Sequence, residues 1–295
     1  MGIYRVLVRS YTRSFCLPTN TQPSFNALHQ MKNFIAKLFF GLWLLQIGGM
    51  GFATSFSGSS AQASTHFPAE EIIGFAKKVE RTLASEGARV AIVARMGRPL
   101  SEMPEGMHFT HVAFAVYSNI TLANGSTVPG YAIYNLYQKD DRPDVSTLVQ
   151  DFPVDFFAGV AQLEAGILIP SPELQQRLLQ LIASSSYAAL HDPRYSLIAN
   201  PYTLGRQNCT EFVLDVINAA IYQTSDIKII KTNTKAYFKA QTVNVNPLKL
   251  MLGSMFSAEV STSDQRGKPV TATFEKIADY LQNYDHGSKV LMLTP

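Results

Sequence analysis

The stretch that decides the fold is LGRQNCTEFVLDVINAAIY, residues 204–222. Its apolar side chains recur at three- and four-residue spacings, which is typical of one buried helical stripe: Phe212, Val213, Val216, Ile217, Ala220 and Ile221. Asn208 precedes the stripe and Glu211 follows it by three residues, the spacing of an N-terminal capping box. We therefore predict a helix that starts at Asn208 and carries Cys209 in its first turn.

Cys209 is the candidate nucleophile. A thiol in the first turn lies at the positive end of the helix dipole, which favours the thiolate form. Backbone N–H groups of Cys209, Asn208 or Gln207 would stabilise an oxyanion that forms beside the sulfur. A small buried cysteine that packs like alanine has the same sequence pattern, because free cysteines are commonly buried. Position alone leaves both interpretations open.

Residues 1–63 are interpreted as an N-terminal extension with a secretory signal. No Asp or Glu precedes Glu70, and a segment with Lys32 and Lys37 leads into the apolar run LFFGLWLL, residues 38–45. The sequence Ala-Gln-Ala at residues 61–63 fits a signal cleavage site. The apolar run is shorter than the roughly 20 residues of a membrane span. We predict export to the periplasm or the exterior, with an uncleaved membrane anchor as the alternative.

Loss of this leader changes the charge and the cysteine count. The full chain has a formal net charge of +3, and five of its positive charges lie in residues 1–63, so residues 64–295 carry −2. That balance argues against nucleic acid as a partner. Cys16 leaves with the leader, and Cys209 becomes the sole thiol of the exported part. An odd cysteine in an oxidising compartment indicates a reactive thiol or pairing with another chain.

Residues 64–295 suit a single α+β domain, in which residues 223–295 form a C-terminal elaboration. Apolar patterning predicts strands over residues 89–95, 109–117, 131–138, 166–170 and 289–293, and helices over residues 68–86, 172–182, 246–256 and 274–281. The pair Asn124-Gly125 is a strong hairpin turn signal. Motifs for nucleotide-binding loops, zinc proteases and EF-hands are missing, so neither a cofactor nor a metal is predicted.

His111 is the candidate general base. It lies in a predicted strand otherwise made of Val, Ala and Phe, where a lone histidine is more often a satisfied core residue. An unbulged hairpin would place Gln138 opposite His111, whereas a bulge near Pro129 would bring Asn135 nearer. Either amide would orient the imidazole, and Asn135 is preferred. His191, in a polar loop, is a secondary candidate.

Two of these motifs carry a resemblance. THVAFAVYS and QNCTEF, with a polar position on the strand between them, resemble the circularly permuted papain-like fold of the NlpC-type group, which includes lecithin:retinol acyltransferase-like proteins. The histidine precedes the cysteine, as in the permuted order. The segments ARMGRPLS, FTHVAFAVYS, LIPSPELQQRLL, HDPRYSLIANPY and RQNCTEFVL also resemble a family of exported bacterial proteins of unknown function. The resemblance implies a helix packed on an antiparallel sheet, with Cys209 as nucleophile, His111 as base and Asn135 as orienting residue.

Three functions follow from these features. The first is an exported thiol hydrolase or acyltransferase that cleaves an amide or ester of a peptide, cell-wall or lipid substrate. The second is a non-catalytic envelope module that binds a peptide or lipid in a groove, with aromatic residues of 131–137 and 152–157 as its lining. The third is an assembly role in which Cys209 pairs with another chain. No stable membrane span is expected after signal cleavage.

Overall fold

The computed structural model of the protein describes residues 65–121, 124–244 and 260–295. The helices in these ranges are α1 (Ala69–Ser85), α2 (Pro153–Ala158), α3 (Pro172–Ile182), α4 (Ser185–Ala189), α5 (Cys209–Tyr222), α6 (Ile227–Tyr237) and α7 (Phe274–Tyr284). The strands are β1 (Val90–Met96), β2 (His111–Thr121), β3 (Thr127–Gln138), β4 (Ser146–Asp151), β5 (Gln162–Ile169), β6 (Gln241–Thr242), β7 (Val270–Thr271) and β8 (Lys289–Leu293).

Within the described residues, one antiparallel sheet has the strand order β4-β3-β2-β1-β5-β8, and β6 pairs with β7 separately. The hairpin between β2 and β3 turns where Asn124-Gly125 predicts it, and its first pair joins Thr121 to Thr127. The protein is therefore a mixed α+β fold built on an antiparallel sheet, as the sequence predicts.

The central strands separate two hydrophobic cores. Val112 and Phe114 of β2 pack in one core with α3, α5 and α7, on what we call the α5 face. Ala113 and Ala115 pack in the other core with α1 and α2, on the α1 face. Successive side chains of a strand point to opposite faces of the sheet, so one strand supplies both cores.

Helix α5 begins where the sequence predicts, with Asn208 as its N-cap and Cys209 as its first residue. The Oδ1 atom of Asn208 accepts a hydrogen bond from the backbone N–H of Glu211 at 2.9 Å. The Glu211 carboxylate accepts from Lys231 of α6, so only the Asn208 half of the predicted capping box forms. The side chains of α5 from Cys209 to Ala220 are all buried, including the polar residues Thr210, Glu211, Asp215 and Asn218 that interrupt the apolar stripe.

Gly166 of β5 allows an aromatic pair to pack directly on the strand. A Cβ atom at this position would lie 2.7 Å from the rings of both Phe109 and Phe274. Those two rings meet edge to face with centroids 5.1 Å apart. The contact holds the start of α7 against the segment that leads into β2.

Six elements of the described ranges were not predicted, namely the helices α2, α4 and α6 and the strands β4, β6 and β7. The predicted helix over residues 246–256 and the signal segment lie outside the described residues. Residues 223–295 supply β8 to an edge of the main sheet and α7 to the α5-face core. In the described ranges, no helix combines the length and the apolar character needed to cross a membrane.

Candidate functional site

His111 is the first residue of β2 and is fully buried on the α1 face. Its Nε2 atom lies 3.0 Å from Oδ1 of Asn135 on β3. The Nδ2 atom of Asn135 donates to Oδ1 of Asp151 at 2.7 Å, which fixes the orientation of the amide. Because Asn135 presents an acceptor to the imidazole, the hydrogen of the neutral ring resides on Nε2. The structure thus brings His111 and Asn135 together.

The imidazole is enclosed by rings and by a guanidinium group. It stacks on Tyr137 with centroids 5.0 Å apart and an interplanar angle of 11°, and it contacts Phe156 of α2 at 5.6 Å. Arg95, opposite His111 on β1, lies over the same two rings and donates to the Phe156 carbonyl. Burial, and secondarily the charge of Arg95, lower the pKa of His111 well below its ordinary value of 6.5. The ring is neutral at physiological pH.

Asp151 completes this cluster, which we call the His111 network: Arg95, His111, Asn135, Tyr137 and Asp151. The Tyr137 hydroxyl donates to Oδ2 of Asp151 at 2.9 Å. Burial raises the pKa of Asp151 to about 7, although hydrogen bonds from Tyr137 and Asn135 favour the ionised form. The network therefore changes its charge near neutral pH while His111 itself stays neutral.

Cys209 lies in the α5-face core. Its side chain is only 3% exposed, and it packs in the same cluster as Val112 and Phe212. Its Sγ atom lies 3.7 Å from Oγ1 of Thr210. The thiol therefore sits at the first turn of α5, as the sequence predicts.

The fold does not bring Cys209 and His111 together. Val112 packs in the core that contains α5, and the alternation of side chains turns the preceding residue, His111, to the other face. The contact of His111 with Phe156 shows the same placement, since Phe156 belongs to the α1-face core. The expected pairing of thiol and imidazole is therefore corrected, because the sheet separates the two groups.

A pocket of about 550 Å³ lies beside Cys209, and we call it the Cys209 pocket. Its apolar lining consists of Met103, Pro104, Met107, Phe109, Leu197, Ile198, Val243 and Ala272. Its polar lining includes Arg98 and Glu102, which form an ion pair at 3.4 Å, and the hydroxyl of Thr110. No histidine from the described part of the chain lines it.

The aromatic residues expected in a groove are mostly core residues. Tyr131, Phe156 and Phe157 are buried in the α1-face core. Tyr134 is half-buried on the α5 face, against Tyr187. None of these side chains lines the Cys209 pocket.

The polar neighbours of Cys209 hold loops in place. Besides capping α5, Asn208 donates from Nδ2 to the Leu197 carbonyl at 3.0 Å and to Thr271 Oγ1 at 3.2 Å. Gln207 donates to the Leu190 carbonyl and to Asp215, each at 3.1 Å. Both side chains are buried and bonded to these partners, and the backbone N–H of Gln207 donates to the Arg194 carbonyl at 2.9 Å. Gln207 therefore offers no free backbone donor to an oxyanion.

The other secondary candidates lie away from Cys209. His191 Nε2 is 2.9 Å from Ser146 Oγ, and burial lowers the pKa of His191. Gln138 Nε2 donates to the Pro143 carbonyl at 2.7 Å. The β2–β3 pairing is regular from Thr121–Thr127 to Phe114–Tyr134, with no bulge near Pro129. Continued, this register places Tyr137 rather than Gln138 opposite His111, which corrects the expected pairing.

Sequence reasoning missed two groups of polar residues. Arg95 lies at the end of an apolar strand, and Asp151 lies in an aromatic segment. Charged side chains are uncommon in such surroundings, so these two positions could have indicated a buried polar network. The ion pairs of Lys231 with Glu211 and Asp215 join two helices, and no sequence spacing reveals them. The described ranges contain no cluster of three or more His, Cys, Asp and Glu side chains suited to a metal ion.

Comparisons with curated proteins and with solved structures found no match. Residues 82–281 match the family DUF2145, described as uncharacterised proteins conserved in bacteria. The matched segment runs from the last turn of α1 into α7 and includes both the His111 network and the Cys209 pocket. The chain is therefore a member of the DUF2145 family of bacterial proteins.

Proposed function

We propose that this protein is an exported binding module that holds an apolar segment of a peptide or lipid in the Cys209 pocket. The observation that carries the proposal is the lining of this pocket, which is mainly apolar and has a few polar groups around it. Ligand sites typically have this composition and enclose about 300–1,000 Å³. The volume of about 550 Å³ falls within that range.

The lining is adaptable. Met103 and Met107 are both half-buried, in the loop between β1 and β2. Unbranched, polarisable methionine side chains adjust to ligands of different shape. The first turn of α5 also borders the pocket at Cys209 and Thr210, where a helix leaves backbone N–H groups for a ligand carbonyl or carboxylate. The pocket thus combines an apolar wall with a polar end.

A charged substitution in the wall tests the proposal. Met107→Asp should weaken binding of a fluorescent fatty acid or a dansyl-labelled apolar pentapeptide at least tenfold, because the apolar ligand would have to desolvate a carboxylate. Met292→Asp is the matched control, since Met292 is 52% exposed on β8 and does not line the pocket. Titration by fluorescence reports both affinities and shows which probe class binds. Equal affinities of the two variants, or no binding of either probe, would refute the proposal.

A thiol hydrolase with the permuted papain-like fold is the second candidate. Its support is the place of Cys209 as the first residue of α5, at the edge of a pocket and on a helix packed against an antiparallel sheet. Against it stands the position of His111 on the opposite face, so the hydrolase would need a different base. Cys209→Ala separates the two functions: a binding module keeps its affinity for the probes, whereas a hydrolase loses turnover of amide and ester substrates.

Export remains part of the proposal and is supported by the signal-like pattern of residues 1–63. The assembly role is less well supported. Cys209 is 3% exposed, so a disulfide with another chain would require the helix start to open.

A further inference from the structure

A second pocket lies at the other side of the first turns of α5. It encloses about 500 Å³ between α5, α6 and two loops, residues 189–194 and 203–207. Glu211, Asp215 and Lys231 line it, so we call it the Glu211 pocket. It shares no lining residue with the Cys209 pocket, and the proposed function does not use it.

The polar groups of this pocket are almost fully paired. Lys231 Nζ donates to Glu211 Oε1 at 2.6 Å and to Asp215 Oδ1 and Oδ2 at 2.8 and 2.9 Å. An ammonium group has three donors, so Lys231 has none left for a ligand. Gln207 uses its amide on Asp215, on the Leu190 carbonyl and on the backbone N–H of Asp192.

One acceptor is left over. Oε2 of Glu211 is buried and has no hydrogen-bond partner among the described residues, and the Glu211 side chain is 1% exposed. An unpaired buried acceptor is costly, so a ligand that donates to it gains stability. Since the open position of the ionised group is an acceptor, the ligand must present a hydrogen-bond donor there, an N–H or an O–H group.

The charge balance favours a cationic donor. Two carboxylates, Glu211 and Asp215, face one ammonium group, that of Lys231, and the charge of Asp264 adds to the repulsion at Glu211. Burial, despite the opposing effect of Lys231, raises the pKa of Glu211 well above its ordinary value. Burial thus opposes ionisation of Glu211, and an ammonium group bound beside Oε2 would favour the ionised form.

The rim of the pocket has the opposite charge. Arg206 lines it, is half-buried and donates from one nitrogen to the Tyr195 carbonyl at 3.2 Å. A guanidinium has five N–H donors, which leaves others for an anion. Arg194 also lines the pocket but is paired with Asp192 through two nitrogens. Arg206 is thus the rim group suited to a carboxylate.

We propose that the Glu211 pocket binds a small zwitterion of the amino-acid class, with its ammonium group on Oε2 of Glu211 and its carboxylate on Arg206. The buried acceptor and the rim guanidinium select the two ends of such a ligand. A simple carboxylate would meet only Arg206, and a simple amine only Glu211. A free amino acid engages both.

Isothermal titration of the purified full chain with glycine, L-alanine, n-butylamine and butyrate tests this assignment. We expect both amino acids to bind at least tenfold more tightly than butylamine, and butyrate to bind least. Arg206→Ala should weaken amino-acid binding at least tenfold and leave butylamine unchanged. Arg81→Ala, at an exposed position on α1, is the matched control and should change neither. The proposal would be overturned if neither amino acid binds when it is in 10-fold excess over a millimolar concentration of protein. It would also be overturned if Arg206→Ala and Arg81→Ala lose amino-acid binding equally.

Glu211→Gln tests the buried end, because the amide keeps the size of the side chain and removes its charge. We expect at least tenfold weaker binding of both the amino acids and butylamine. Titration of the unaltered protein in buffers of different ionisation enthalpy should also show proton release on binding, because a bound cation lowers the pKa of Glu211. Unchanged affinity in Glu211→Gln, or binding of Mg²⁺ or Ca²⁺ alone, rejects the assignment. If Glu211→Gln does not fold, the Arg206→Ala comparison decides.

Discussion

His111 and Asp151 belong to one hydrogen-bonded network but respond to pH in opposite directions. The pKa of His111 is lowered in the folded protein, so the unfolded chain binds more protons below pH 6.5 and stability is lost as the pH falls. The pKa of Asp151 is raised from 3.8 to about 7. Its contribution is therefore present at low pH and is lost as the pH rises through that interval. The two effects oppose each other between about pH 4 and 6.5.

Substitution of His111 separates these contributions. As the pH falls from 7.5 to 5, the free energy of unfolding of the unaltered protein should decrease relative to that of His111→Gln, because only the former carries a buried imidazole that protonates on unfolding. The change should reach at most about 1.4 kcal/mol per pH unit below 6.5. Urea denaturation at several pH values measures it. His66→Gln, at an exposed position, is the control. A difference that stays constant with pH would show that His111 is protonated equally in both states.

At the scale of secondary-structure elements, the start of α5 is fixed by more than its own helix. Asn208 caps α5 and also ties the helix to the loop at Leu197 and to Thr271 of β7. By comparison, the side chain of Ser171, the N-cap of α3, accepts a single hydrogen bond, from the backbone N–H of Leu174 at 3.2 Å. The first turn of α5, which borders both pockets, is therefore positioned from three directions.

Removal of the two caps should have unequal effects. Asn208→Ala should lower the free energy of unfolding by about 2–3 kcal/mol, since it removes the cap and leaves a buried carbonyl without its donor. Ser171→Ala should cost about 1 kcal/mol. Chemical denaturation of both variants measures the difference. Equal costs would mean that the Nδ2 hydrogen bonds of Asn208 contribute nothing to stability.

At the scale of the whole molecule, the sheet divides the chemistry. The His111 network belongs to the α1 face, and Cys209 with its pocket belongs to the α5 face. Only the sheet lies between the two sites, but the side chains of His111 and Cys209 lie on its opposite faces. His111 and Cys209 belong to elements that pack on the same sheet, but they do not form a catalytic pair because they lie on opposite faces.

The separation predicts how the thiol reacts. The rate of alkylation of Cys209 by iodoacetamide should change less than twofold in His111→Gln across pH 6–9, because the imidazole does not reach the sulfur. The same measurement in urea gives the rate of the exposed thiol and controls for its intrinsic reactivity. A tenfold or larger decrease in the folded variant would show that His111 activates Cys209 and would restore the hydrolase as the leading function.

Much of the architecture is local and could be read from the chain. The apolar stripe and the Asn208 cap predict α5, Asn124-Gly125 predicts the hairpin, and apolar runs predict β1, β2 and β8. The sequence does not predict β4 and α6, because their apolar patterns are weak. Most residues of β4 are half-buried, and α6 carries three lysines. Their stability comes from packing and from the bonds of Lys231 rather than from periodicity.

By itself, the sequence determined the helix that carries Cys209, the antiparallel hairpin and the α+β class, because capping, turn chemistry and apolar spacing act over a few residues. Only the tertiary structure decided which groups meet. The face on which His111 lies depends on a strand register, and a shift of one residue reverses it. The partners of Glu211 and Asp151 come from distant segments that pack together only in the folded chain.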